Sequence, residues 1–177
     1  MQPQRIFLIG LMGSGKSTVG KILANRLDMV FFDSDDEVEK RNGVDIQTIF
    51  EIEGEQGFRE REQVIISELA KKPNAVIATG GGVVLSVANR FVMNNSGVII
   101  YLKASVNSLY ARIKNSSHRP LLKTKQPKAK LAELYFKRRA IYENLADISI
   151  HTNNTMTRND VVYLILKKLE TYEKTTG

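Results

Sequence analysis

The sequence predicts an α/β fold in which a parallel sheet is flanked by helices. Five short apolar runs alternate with longer stretches of helical periodicity. The runs carry almost no polar residue, as expected of parallel strands buried on both faces. Glycine-rich turns begin at Gly10 and Gly80, directly after the first and third runs. Parallel sheets bind ligands beyond the carboxyl ends of their strands, and both turns fall at that edge.

Taken in order, Ile6-Phe7-Leu8-Ile9 reads as a buried strand and 16–27 as a helix. Residues 29–32 are the second strand. Residues 35–41, 46–52 and 55–71 have helical patterning. The third strand is 75–78, followed by a short helix over 87–94. The fourth strand is 98–102, followed by a helix over 106–113. Residues 116–126 are polar and contain a proline, which predicts a loop. A helix over 128–145, a last strand at 148–151 and a closing helix over 158–172 complete the chain. No internal repeat or low-complexity tract interrupts this order.

At 177 residues the chain has the size of one domain with a sizeable core. Its hydrophobic content of 42% is ordinary for a globular protein. No apolar run approaches the roughly 20 residues that span a bilayer, so no membrane association is expected. The opening Met1-Gln2-Pro3-Gln4-Arg5 lacks an apolar signal core. With no cysteine, disulfides and cysteine-ligated metals are excluded, and a reducing cytoplasm fits best. The expected form is a monomer. The net charge of +7 is uneven: 103–139 holds 11 Lys/Arg and one acid, Glu133. Such a stretch attracts an anion, either nucleic acid or a polyphosphate, or is a solvated basic face.

Residues 10–17 read Gly-Leu-Met-Gly-Ser-Gly-Lys-Ser, a complete G-x-x-x-x-G-K-[ST] phosphate loop between a strand and a helix. Its glycines let several backbone N–H groups converge on one anion, and the helix N-terminus adds positive potential. Lys16 reaches the β- and γ-phosphates, and the Ser17 hydroxyl can ligate Mg²⁺. Nucleotide binding follows, but the acceptor of the phosphate does not, because many enzyme classes use this loop. The chain has no N-K-x-D guanine-reading motif.

The second strand runs into Asp33-Ser34-Asp35-Asp36. Asp33 could hold Mg²⁺ through water, and Asp35 could take a proton from an attacking hydroxyl. The same residues could instead cap the next helix, and the residue types leave both readings open. Asp36 and Glu37 read as first-turn acids of that helix.

Phe58-Arg59-Glu60-Arg61-Glu62 reads first as helical surface pairs. With Phe50 nearby in sequence, two aromatics beside an arginine could also wall a small site for an acid. Gly80-Gly81-Gly82 suits close approach of backbone to a ligand. Arg119-Pro120-Leu121-Leu122, within the basic loop, suits a lid that brings an arginine over phosphates. Of Arg138 and Arg139, one could face a ligand while the other faces solvent.

In this order the motifs resemble the shikimate kinase family: G-L-M-G-S-G-K-S-T, D-S-D, F-R-x-x-E, G-G-G, R-P-L-L and R-x-x-x-Y. The resemblance covers nearly the whole chain. It implies a single kinase domain over 1–177 with a three-layer P-loop NTPase fold and a five-stranded parallel sheet. It further implies a substrate-binding helical segment at about 34–62 and a mobile lid at about 112–126. It assigns Asp35, Phe58, Arg59, Glu62, Gly80, Gly81, Gly82 and Arg138 to shikimate. ATP falls to Gly13, Ser14, Gly15, Lys16, Ser17, Thr18, Arg112 and Arg119, with Arg112 near the adenine. Ser17 and Asp33 are assigned to Mg²⁺, and Lys16, Asp35 and Arg119 to catalysis. The implied reaction moves the γ-phosphate of ATP to the 3-hydroxyl of shikimate, a step toward aromatic amino acids. One departure is Ala140-Ile141 where the family often has Pro-Leu before the tyrosine, which bears on whether Arg138 or the adjacent Arg139 faces the substrate. Arginine's planar fork suits shikimate's carboxylate, and ATP accounts for the basic stretch without nucleic acid. The competing readings are another small P-loop kinase, such as a gluconate or nucleoside monophosphate kinase, a nucleic-acid-binding NTPase, and an inactive binding module.

Overall fold

The structure, a computed structural model, describes residues 4–115 and 120–176. Its five strands are β1 (Arg5–Ile9), β2 (Val30–Asp33), β3 (Ala75–Ala78), β4 (Val98–Lys103) and β5 (Ile148–His151). They form one sheet in the order β2-β3-β1-β4-β5, with every pairing parallel. Seven helices connect and cover it: α1 (Lys16–Leu27), α2 (Ser34–Asn42), α3 (Ile46–Leu69), α4 (Val87–Ser96), α5 (Val106–Ile113), α6 (Pro127–Leu145) and α7 (Arg158–Thr176). Short 3₁₀ turns at Val83–Leu85 and Pro120–Leu122 were not expected from the sequence.

The strand period of two divides β1 between two cores. Ile6 and Leu8 face a cluster with Val19 and Leu23 of α1 and Ile165 of α7. Phe7 and Ile9 face another with Ile66 of α3, Met93 of α4 and Tyr142 of α6. These four β1 side chains are 0% exposed, which explains why the run 6–9 shows no polar alternation. The central strand thus fixes the three-layer architecture.

The chain moves from β1 out to β2, returns to β3, then crosses to β4 on the other side of β1. The crevice at this switch point is where a ligand fits outside the strand ends. The loop after β1 opens into it, and Gly15 ends that loop at φ 92°, a conformation that favours glycine. The helix then starts with no side-chain cap, leaving its first N–H groups directed at the crevice.

Two expected helices, 46–52 and 55–71, are halves of α3 broken at Gly54, where φ is 72° and ψ is −174°. Arg61 spans the break, with Nη2 2.6 Å from Glu53 Oε1 and Nε 3.0 Å from Glu53 Oε2. α3 packs against α2, and both halves reach the core, the first through Ile49 and the second through Phe58, Ile65 and Ile66. Asp45 caps the first half by accepting the Thr48 N–H at 2.7 Å.

Candidate active site

Two cavities meet at the carboxyl edge of the sheet. The larger, about 770 Å³, is lined by residues 12–19, Asp33 and Arg112, among others. The smaller, about 310 Å³, is lined by Phe50, Phe58, Arg59, Gly82, Leu121 and Arg138, among others. Met12, Asp35 and Gly81 line both.

The larger cavity has the chemistry of a polyphosphate site. Lys16 is 9% exposed, and its Nζ donates to Gly10 O at 2.7 Å and Leu11 O at 3.1 Å. The loop thus stores its lysine against its own carbonyls. Ser17 Oγ donates to Asp33 Oδ2 at 2.5 Å, joining the start of α1 to the end of β2. Asp33 Oδ1 accepts the Asp35 N–H at 3.0 Å. Cap and metal-site readings of Asp33 are therefore compatible, since one oxygen caps α2 and the other meets Ser17. This pair supplies few protein ligands, as suits Mg²⁺ that keeps water and phosphate oxygens around it.

Arg112 donates from Nη1 to Gly13 O at 3.1 Å, from Nη2 to Asn153 O at 3.0 Å and from Nε to Asn154 Oδ1 at 3.1 Å. Desolvation lowers its pKa from the ordinary arginine value. It ties the phosphate loop to the segment after β5. Thr18 also lines this cavity, whereas Arg119 lies outside the described residues.

The smaller cavity has the chemistry of a small-acid site. Phe50 and Phe58 pack with ring centroids 5.1 Å apart, and the Arg59 guanidinium lies 5.1 Å from the Phe58 centroid. Two aromatics beside an arginine do form one wall. Arg59 Nη1 is 2.8 Å from Glu62 Oε2, and Nη2 is 3.0 Å from Glu55 Oε1. The expected helical pairs exist, but they brace an arginine that faces the cavity. The Glu62 side chain is only 1% exposed. Burial pushes its pKa above the usual carboxylate range, against the pull of Arg59 and Arg138.

The triple glycine admits these groups by lacking side chains. A Cβ on Gly82 would fall 2.1 Å from Arg59 Nη2, and one on Gly80 2.6 Å from Glu62 Oε1. On Gly81, by contrast, it would meet only ordinary contacts, the nearest Met12 N at 3.4 Å. The Tyr142 hydroxyl donates to Gly81 O and holds the turn from behind. Burial pushes the Tyr142 pKa up to about 12, despite the opposing charge of Arg138 beside it, so the phenol remains a donor.

The structure separates the adjacent arginines. Arg138 is 3% exposed and lines the smaller cavity, while Arg139 is exposed and its Nε pairs with Glu143 Oε1 at 3.0 Å. Arg138 Nη1 is buried with no hydrogen-bond partner among the described residues, while the guanidinium lies beside the Tyr142 hydroxyl. The basic stretch also divides: Lys130 and Lys137 pair with Glu133 on the surface, Arg112 stays exposed at the rim of the larger cavity, and Arg138 turns inward.

Met12, Thr152, Asn153 and Asn154 were not anticipated as lining residues. The last three follow a strand at its carboxyl edge, the rule that had singled out Gly10 and Gly80.

A family model described as "Shikimate kinase" matches residues 12–170. The shikimate kinase of Thiobacillus denitrificans is 52% identical over 147 residues, covering 83% of this chain and 80% of that protein. That of Nitrosospira multiformis is 49% identical over 154 residues, covering 87% of this chain and 79% of that one. A solved structure of shikimate kinase from Acinetobacter baumannii in complex with shikimate superposes with a TM-score of 0.93 at 38% identity. The match covers 96% of this chain and 94% of that one.

Proposed function

The chain belongs to the shikimate kinase family, and we propose that its joined cavities hold ATP and shikimate for transfer of the γ-phosphate to the 3-hydroxyl. The products are shikimate 3-phosphate and ADP. The observation that carries the reading is the meeting of a phosphate loop and an arginine-lined acid site at one carboxylate, Asp35.

In this reading the shikimate carboxylate lies between Arg59 and Arg138. Glu62 and Glu55 hold the Arg59 fork in place, and the Phe50–Phe58 wall excludes water from one side of the ring. Gly80, Gly81 and Gly82 let the ring approach the backbone. These contacts orient the acceptor hydroxyl toward the phosphate loop, which lowers the entropic part of the barrier. Asp35 accepts the hydroxyl proton as the oxygen attacks phosphorus. Lys16 leaves the loop carbonyls for the β- and γ-phosphates, where its charge offsets that developing on the transferred group.

The loop N–H groups of Gly13, Ser14 and Gly15 cradle the phosphates, with Thr18 beside them in the first turn of α1. Arg112 packs near the base. Ser17 and Asp33 would hold Mg²⁺, which when bound neutralises charge on the β- and γ-oxygens. Arg119, in the lid segment at about 112–126, is assigned to the phosphates. Residues 34–62 form the acceptor-binding segment. No helix among the described residues is long and apolar enough to cross a membrane, and we place the enzyme in the cytoplasm.

A coupled assay of ADP release with Mg-ATP tests the reading, with shikimate, gluconate and AMP as acceptors. Turnover dependent on shikimate is expected, and preference for gluconate or AMP would refute it. Asp35→Asn keeps the size but is a poor base. It should lower kcat at least about a hundredfold with near-normal ATP affinity by calorimetry. Equal loss of both would move Asp35 to the metal site or to a structural cap.

A further inference from the structure

The smaller cavity takes its walls from three helical pieces. α2 supplies Asp35 and Asp36, the first half of α3 supplies Ile46 and Phe50, and the second half supplies Phe58 and Arg59. The break between the halves is open. Gly54 has φ 72° and ψ −174°, a conformation essentially restricted to glycine, and a Cβ there would meet no atom within 4 Å. Contacts on either side of the break must therefore hold the angle.

Arg61 makes polar contacts from the second half of α3 to both other pieces. Its Nη2 is 2.6 Å from Glu53 Oε1 and its Nε 3.0 Å from Glu53 Oε2, a two-point grip on the residue that precedes the break. Its Nη1 donates to Asn42 Oδ1 at the end of α2. Asn42 is itself held, because its Nδ2 donates to Val38 O at 2.6 Å. Gly57 makes room for the grip: a Cβ there would fall 2.4 Å from Glu53 Cβ and 2.7 Å from Glu53 Oε2. A glycine inside a helix costs stability, and clearance for the Glu53 side chain gives a reason for this one.

The Phe50 and Phe58 rings meet across the same break, with centroids 5.1 Å apart. A change of angle at Gly54 would part them and widen the cavity.

We propose that Arg61 is a positioning residue for the acceptor: by clasping Glu53 and Asn42 it fixes the angle of α3 at Gly54, and with it the width of the smaller cavity. The proposal rests on reading that cavity as the shikimate site. Arg61 is not among the residues that line either cavity, so it acts on the acceptor through Phe50 and leaves the phosphate loop alone. Arg41 provides a comparison. Its Nη1 is 2.5 Å from Glu68 Oε1, which joins α2 to the second half of α3 without spanning Gly54.

The test uses the full chain with Arg61→Ala, Glu53→Gln, Arg41→Ala and wild type. Steady-state kinetics with Mg-ATP and shikimate are combined with hydrogen exchange of the ligand-free protein. Arg61→Ala should raise the KM for shikimate about three- to tenfold, the range for one net hydrogen bond. Its kcat and its KM for ATP should stay within about twofold of wild type, as expected when only acceptor binding is touched. Glu53→Gln should also raise the KM for shikimate. Long-range charge predicts the opposite there, because removing a negative charge favours an anion. Arg41→Ala should stay within about twofold throughout. Amides of 46–53 should exchange faster in Arg61→Ala, and those of 58–69 as in wild type. An unchanged KM for shikimate in Arg61→Ala overturns the proposal. An equal rise in the KM for ATP does so too, by assigning Arg61 to the fold at large. A lower KM for shikimate in Glu53→Gln, or an equal loss in Arg41→Ala, assigns the effect to charge and also overturns it. Should Arg61→Ala not fold, Glu53→Gln decides alone. A wild type that does not turn over shikimate refutes the acceptor assignment instead. Hydrogen exchange then decides the clasp, and unchanged exchange over 46–53 overturns it.

Discussion

At the residue scale, Arg59 and Arg138 carry the acceptor assignment. Arg59→Lys keeps the charge but loses the planar fork. Its KM for shikimate should rise about ten- to a hundredfold, the cost of a charge-assisted hydrogen bond, with the KM for ATP nearly unchanged. Unchanged shikimate kinetics would leave Arg59 a structural partner of Glu55 and Glu62. The pair at 138–139 gives a sharper contrast because the residues are adjacent and chemically identical. Arg138→Lys should weaken shikimate binding by a similar factor. Arg139→Ala should stay within about twofold of wild type in both KM values, since an exposed ion pair contributes little. Steady-state kinetics of the two variants side by side check this, and the reverse order would exchange their roles. The motif R-x-x-x-Y identified the neighbourhood from sequence. Choosing between the arginines required the direction each takes from α6, which only packing against Tyr142 and Glu143 supplies.

At the element scale, α1 must lie close to the sheet to aim its N-terminus at the crevice. Gly20 allows that approach: a Cβ there would fall 2.6 Å from Phe31 Cε2 and 3.1 Å from Leu8 Cδ1. Gly20→Ala gains up to about 1 kcal/mol of helix propensity. It also forces α1 away from a packed face, and overpacking costs typically about 1–3 kcal/mol. The second effect should win, and urea denaturation should show a lower midpoint with an unchanged slope. A stabilised variant would mean the Phe31 ring yields freely. The two halves of α3 show what sequence periodicity can do at this scale. It located both halves and left Gly54 between them, because a positive φ at glycine ends one helical register before another begins. It could not show that the first half lines the smaller cavity through Ile46, Gln47 and Phe50, beside α2 and the Arg61–Glu53 clasp.

At the scale of the whole molecule, nucleotide binding should be visible as stability. A ligand at 100 times its Kd adds about 2.7 kcal/mol. For a chain of this size that raises the melting temperature by about 5–10 °C. Mg-ADP should give such a shift in wild type and a much smaller one in Lys16→Ala, which should still fold and melt cooperatively. A full shift in that variant would remove Lys16 from phosphate binding.

The sequence alone determined the features written in local order. Short apolar runs gave the strands, 3.6-residue patterning gave the helices, and the phosphate loop was complete within eight residues. The aromatic wall at Phe50 and Phe58 was also legible, since both lie near Arg59 in sequence, but the break at Gly54 that brings the rings together was not. Only tertiary structure decided what depends on distant segments meeting. It showed that Asp33 bonds Ser17, that Gly82 makes room for Arg59, and that Asp35 stands where two cavities join. Burial, unlike periodicity, is a property of the assembled layers and has no local signature.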